Sequence, residues 1–146
     1  HGREHSFPTR RSSDLLLAEP NVEYIGEIST GEKAKLYAGA IATVCPIKFD
    51  EPFGLVFAES LAAGTPVMAF NRGAAAEVIC DGTTGILGNT EEDLINRFGE
   101  IISMSSEICR EAVKQRFSKE RMANEYEALY YQLLVKQQER TQTVAV

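Results

Sequence analysis

Apolar residues in this chain come in short unbroken runs, Ala42-Thr43-Val44-Cys45 and Val67-Met68-Ala69-Phe70, separated by stretches of helical periodicity. Unbroken rather than alternating apolarity belongs to strands covered on both faces, and strands alternating with helices imply an α/β fold with a mainly parallel sheet. Pro46 stops the first run, and Gly64-Thr65-Pro66 leads into the second. Further strands are expected over 22–26 and 84–87, making four in all. Helices are expected from Ser29 or Thr30 to about Ala40, with Leu36, Tyr37 and Ala40 inward, over 54–63, and as one or two turns over 74–79. A helix capped by Asn89 or Thr90 should run to about Ile102, followed by 107–117 and 119 to about 138. On the last of these, Met122, Tyr126, Leu129, Tyr130 and Leu133 form a stripe expected to pack on the protein itself. Four strands make a narrow sheet for a doubly wound domain, so the sheet reads as incomplete.

The chain has 146 residues, 44% hydrophobic and 25% charged, which suits one globular domain. Its net charge of −6 argues against a nucleic-acid partner but not against an anionic ligand held by backbone dipoles. No apolar run reaches the length of a membrane span, and a cytoplasmic location is expected. Cys45, Cys80 and Cys109 are odd in number and widely spaced, and read as buried thiols rather than a disulfide or a zinc site.

Residues 1–15 differ from the rest. They lack apolar periodicity, and the string from His5 to Leu15 resembles one reading frame of a DNA-sequencing adapter. The expected organisation is therefore a foreign or disordered segment over 1–15, the domain over 16–140 and a frayed tail over 141–146. Both histidines, His1 and His5, fall in the first segment, leaving none for chemistry in the remainder.

The chemically informative stretch runs from Asp50 to Val67. Pro52 fixes the chain entering a helix and Gly54 removes a side chain where it begins. The first turn, around Phe53, Gly54, Leu55 and Val56, should present free N–H groups and about half a positive charge, an anion site that needs no lysine. Glu51 precedes the turn, and Glu59 follows about 6–8 Å along the axis. Carboxylates accept strongly from hydroxyls. Two of them flanking a phosphate-binding backbone suit a ligand with diols at both ends, as in a sugar nucleotide.

Glu51 and Glu59, with seven residues between them, resemble the E-x7-E motif of retaining GT-B glycosyltransferases. The run Glu51-Pro52-Phe53-Gly54-Leu55-Val56, then Glu59 and Gly64-Thr65-Pro66-Val67, resembles the family 4 pattern. Asn71-Arg72-Gly73-Ala74-Ala75-Ala76-Glu77-Val78-Ile79 and Asp81-Gly82-Thr83-Thr84-Gly85 echo its next segment, and a weaker likeness spans Pro20 to about Leu134. The resemblance implies a Rossmann-like parallel sheet with helices on both faces, an incomplete half of a GT-B C-terminal domain, ending in long helices. It implies transfer of a hexosyl group from a nucleotide-diphosphate sugar to an acceptor with retention, without a metal or other cofactor. Glu51 would be catalytic and bind the donor hexose, Glu59 would bind the ribose, and the amides of Phe53, Gly54 and Leu55 would meet sugar and diphosphate. Arg72 and Gly73 would complete the donor site. Set against these readings, an exposed loop arginine is commonly just solvated, Gly73 and Gly82 are most simply turn glycines, and Glu77 serves equally as a cap.

Ala74 departs from the family pattern, where a second glycine is common, and Ser60 replaces an alanine-like residue, read as a minor change. No strand and loop carrying the family's basic residues precede Val22, and the N-terminal acceptor domain with its histidine is absent, so the chain alone is expected to be inactive. Two other readings stay open: a different GT-B enzyme, such as a sugar-nucleotide epimerase or phosphorylase, and a non-catalytic nucleotide-binding module.

Overall fold

The computed structural model describes residues 19–144; the segment over 1–15 and the end of the tail lie outside them. In chain order the elements are helix α1 (Thr30–Gly39), strand β1 (Thr43–Cys45), helix α2 (Leu55–Ala63), strand β2 (Val67–Phe70), the one-turn helix α3 (Ala75–Val78) and strand β3 (Gly85–Gly88). Helix α4 (Glu91–Arg97), a 3-10 segment (Phe98–Ser103), helix α5 (Ser106–Phe117) and the long helix α6 (Lys119–Val144) follow. The strands pair in the order β1-β2-β3, all parallel, with Thr43 opposite Val67 and Val67 opposite Gly85.

The apolarity of β2 explains its central place. Val67 and Ala69 join Phe57 and Leu61 of α2, Ala75 and Val78 of α3, and Cys109 of α5 in one buried cluster. Met68 points the other way, onto Ile86 of β3, Leu94 of α4 and Ile101. Successive side chains of a strand alternate between faces, so an all-apolar run needs helices on both. The sheet has them.

Two helices begin with reciprocal caps. Ser29 Oγ accepts from the Glu32 N–H while Glu32 accepts from the Ser29 N–H at 2.9 Å. Thr90 and Asp93 repeat the pattern at α4. The N–H groups of Asn89 and Thr90, at 2.8 and 2.9 Å, hold the Asp93 carboxyl below its usual range.

Ser60 proves to be more than a minor change. It is fully buried, its hydroxyl set between Thr43 Oγ1 at 2.8 Å and the Thr65 carbonyl at 2.9 Å, tying α2 to β1 and to the turn before β2. Ser60→Ala would leave both partners short of a bond inside the core. We expect a loss of about 1–3 kcal/mol in chemical denaturation, the cost of orphaning buried polar groups. Unchanged stability would show that the hydroxyl is dispensable.

Five expectations need correction, the first being that of three buried thiols: Cys109 is buried, Cys45 is half-buried and Cys80 is exposed. Residues 22–26 form no strand: Tyr24 is 78% exposed, and no described strand lies beside the segment to complete a ladder. The described residues therefore hold three strands, not four. The helix expected to reach Ile102 gives way after Arg97 to 3-10 winding, where Gly99 removes a helix-favouring side chain. On α1 only Tyr37 of the expected inner face is half-buried, Leu36 and Ala40 being exposed. Finally, α6 continues past residue 138 to Val144, and its stripe of Met122, Tyr126, Leu129, Tyr130 and Leu133 lies roughly half-exposed instead of packed. No described element lies against the outer part of that helix to cover it. The outer edge of β1 is likewise unpaired among the described residues, with Val44 55% exposed.

Candidate functional site

Parallel strands end on one side of the sheet, and in open α/β folds ligands bind at that rim. Here the rim carries the loop over 46–54 after β1 and the loop over 71–74 after β2. The two are clasped together. The Ala74 N–H donates to the Glu51 carbonyl at 2.8 Å, and the Arg72 guanidinium donates to the Lys48 carbonyl, its Nε 3.7 Å from Asp50 Oδ1. Gly73, at φ 55°, permits the approach: a Cβ there would lie 2.5 Å from both the N and the O of Glu51.

The same loop delivers the chain to α2. Gly54 takes φ 77° and ψ 68°, and its missing side chain leaves room for the Phe57 ring, which a Cβ would meet at 2.4 Å. Its N–H donates to Glu51 Oε1 at 3.2 Å, and its carbonyl accepts the first helical bond, from Phe57 at 2.9 Å. The N–H groups of Leu55 and Val56 have no acceptor among the described residues. Those two, at the positive end of the helix dipole, are what an anion would meet. Phe53 turns its ring away, edge-on to Phe117 at 5.5 Å. That contact anchors the loop to α5.

Glu59 lies one turn into α2, about 6 Å along the axis from Leu55, on the flank facing α1. Its Oε1 accepts from Lys33 Nζ at 2.8 Å, and this bond holds the Lys33 ammonium above the usual lysine range. The pair borders a cavity of about 280 Å³ shared with Tyr37, Ala62 and Ala63. A second cavity, of about 660 Å³, lies on the rim beside Lys48, Phe70, Asn71, Arg72 and Asn89.

The structure thus gathers Glu51, Gly54, Arg72 and Gly73 into one cluster at the helix tip, with Leu55 beside it. Glu59 stands on the other flank of the same helix. Glu77 shares no hydrogen bond with these residues; its carbonyl accepts from Arg116, and with Phe53 and Phe117 it lines a further cavity of about 710 Å³. Two residues escape the sequence reading. Lys33 is separated from Glu59 by 26 positions and carries no local signal. Lys48 bridges to Glu91 at 3.0 Å across the rim, which only the fold reveals.

The family described as Glycosyl transferases group 1 matches residues 2–120. The chain belongs to that family. The match to the group 1 glycosyltransferases begins inside the segment expected to be foreign and contains both glutamates. Single relatives agree. A 41.2 kDa protein in the cps region of Klebsiella pneumoniae is 33% identical over 122 residues, covering 78% of this chain and 33% of its own length. The N-acetyl-alpha-D-glucosaminyl L-malate synthase of Bacillus anthracis is 34% identical over 99 residues, covering 58% of this chain and 24% of that protein. Among solved structures, sucrose-phosphate synthase from Thermosynechococcus elongatus aligns at a TM-score of 0.67 and 29% identity, covering 88% of this chain and 35% of that one. The fold is that of a GT-B group 1 glycosyltransferase domain, and the chain spans between about a quarter and a third of the length of these relatives. No helix among the described residues is long and apolar enough to cross a membrane.

Proposed function

We propose that this chain is the donor-holding part of a family 4 glycosyltransferase that transfers a hexosyl group from a nucleotide-diphosphate sugar with retention. The observation that carries the reading is the α2 tip: two unengaged N–H groups, on Leu55 and Val56, with a carboxylate before the helix and another one turn inside it. The diphosphate would lie at the tip, against the free amides of Leu55 and Val56, while the Gly54 amide, expected to join them, is held by Glu51. Glu51 would receive the hexose hydroxyls and Glu59 the ribose hydroxyls. Arg72 and Gly73 would act chiefly by holding the second loop against Glu51. No metal is needed where a helix terminus supplies the positive field. The acceptor and the remaining catalytic groups would come from an N-terminal domain of a longer parent, in keeping with the third of a relative's length that this chain spans. Three free thiols fit a reducing cytoplasm.

The test is calorimetry on the full-length parent with UDP-glucose, GDP-mannose and ADP-glucose. Glu59→Ala should weaken the donor that binds by ~1.5–3 kcal/mol, the range for hydrogen bonds to a charged group. Donor affinity equal to wild type would end the assignment of Glu59.

A further inference from the structure

The Lys33–Glu59 pair is out of proportion to any stabilising role. Both side chains are about a third exposed, at 34% and 37%, and ion pairs so placed add little to folding. Helix α1, which brings Lys33 there, buries no residue of its own. Yet the contact is short, 2.8 Å, and joins two elements across 26 positions. It occupies Oε1 of Glu59 alone, in the wall of a small cavity that Ala34, Ala62 and Ala63 also line. Among the described residues nothing engages Oε2.

We propose that Lys33 is a positioning residue for donor binding: it fixes the Glu59 side chain through Oε1 so that Oε2 is held ready for a ribose hydroxyl. The proposal rests on the reading of Glu59 given above. A free glutamate must be ordered when ligand binds, whereas one already clamped is not, and the difference appears as affinity. The lysine itself touches no reacting atom. Its removal should therefore weaken ground-state and transition-state binding equally, raising KM and leaving kcat in place.

The experiment uses the full-length parent and the variants Lys33→Met, Lys33→Arg and Glu59→Gln. UDP, GDP, ADP and CDP are titrated by calorimetry, followed by the 2′,3′-dideoxy form of whichever binds. Lys33→Met should weaken the ribonucleotide about three- to tenfold, raise the donor KM by the same factor at unchanged kcat, and have no effect on the dideoxy form. Lys33→Arg should restore most of the affinity. If Glu59→Gln weakens binding and Lys33→Met does not, or if Lys33→Met penalises both sugars alike, the positioning role is overturned and the Glu59 reading stands. If Glu59→Gln leaves the ribonucleotide affinity untouched, or if no nucleotide binds the wild type, the Glu59 reading falls and takes this one with it.

Discussion

Glu51→Ala in the full-length parent is expected to lower turnover by roughly 10²- to 10⁴-fold, a loss of two charge-assisted hydrogen bonds at about 1.5–3 kcal/mol each. One of these is visible: the Gly54 N–H donates to Glu51 Oε1 at 3.2 Å, orienting the turn that starts α2. The other is the proposed bond to a donor hydroxyl. On that proposal the carboxylate acts twice, on the ligand and on the geometry of the amides beside it. Glu51→Gln, which keeps an acceptor oxygen but not the charge, should fall between wild type and Ala. Release of nucleoside diphosphate at saturating acceptor measures the effect. Turnover of Glu51→Ala within threefold of wild type would remove Glu51 from the catalytic site.

The second large effect concerns stability and the site together. Gly73→Ala places a methyl group 2.5 Å from the backbone N and O of Glu51 and 2.9 Å from the carbonyl carbon of Asp50, at a φ of 55°. Backbone atoms cannot swing aside as a flexible side chain can. The left-handed conformation costs about 1–2 kcal/mol for a residue with a Cβ, and overpacking adds roughly 1–3 kcal/mol. The total, about 2–5 kcal/mol, should appear as a lower melting temperature together with weakened donor binding, because Glu51 is the group displaced. Gly82→Ala is the control: φ is 73°, but nothing lies within 4 Å of the added carbon. It should cost only the conformational part, about 1–2 kcal/mol, and spare binding. Equal losses from the two substitutions would show that the clash at Gly73 is relieved at no cost.

What the sequence discloses and what it hides follow from range. Val67 to Phe70 declares itself a central strand because both faces need apolar neighbours, and both are covered. Ser29 with Glu32 is a local signal, and the cap it announces is present. Gly54 and Pro52 likewise mark the start of α2 from within a few residues. Val22 to Gly26 misleads for the opposite reason: strand-like composition becomes a strand only when another strand lies beside it, and none is described there. The stripe on α6 is real as a pattern, but periodicity does not say what will cover it. Ser60 hides its role because a serine among alanines looks incidental until Thr43 and Thr65 converge on it. Lys33 is the sharpest case. Its place beside Glu59 depends on how α1 lies across α2, and no spacing rule encodes that.

The common direction of the three strands has a practical consequence. With the loops of the candidate site all on one side, the connection between α3 and β3 faces away from them, and its tip at Gly82 and Thr83 is exposed and uncrowded. A fluorophore, affinity handle or short peptide graft belongs at that tip, where it can report on the protein without intruding on the proposed donor site.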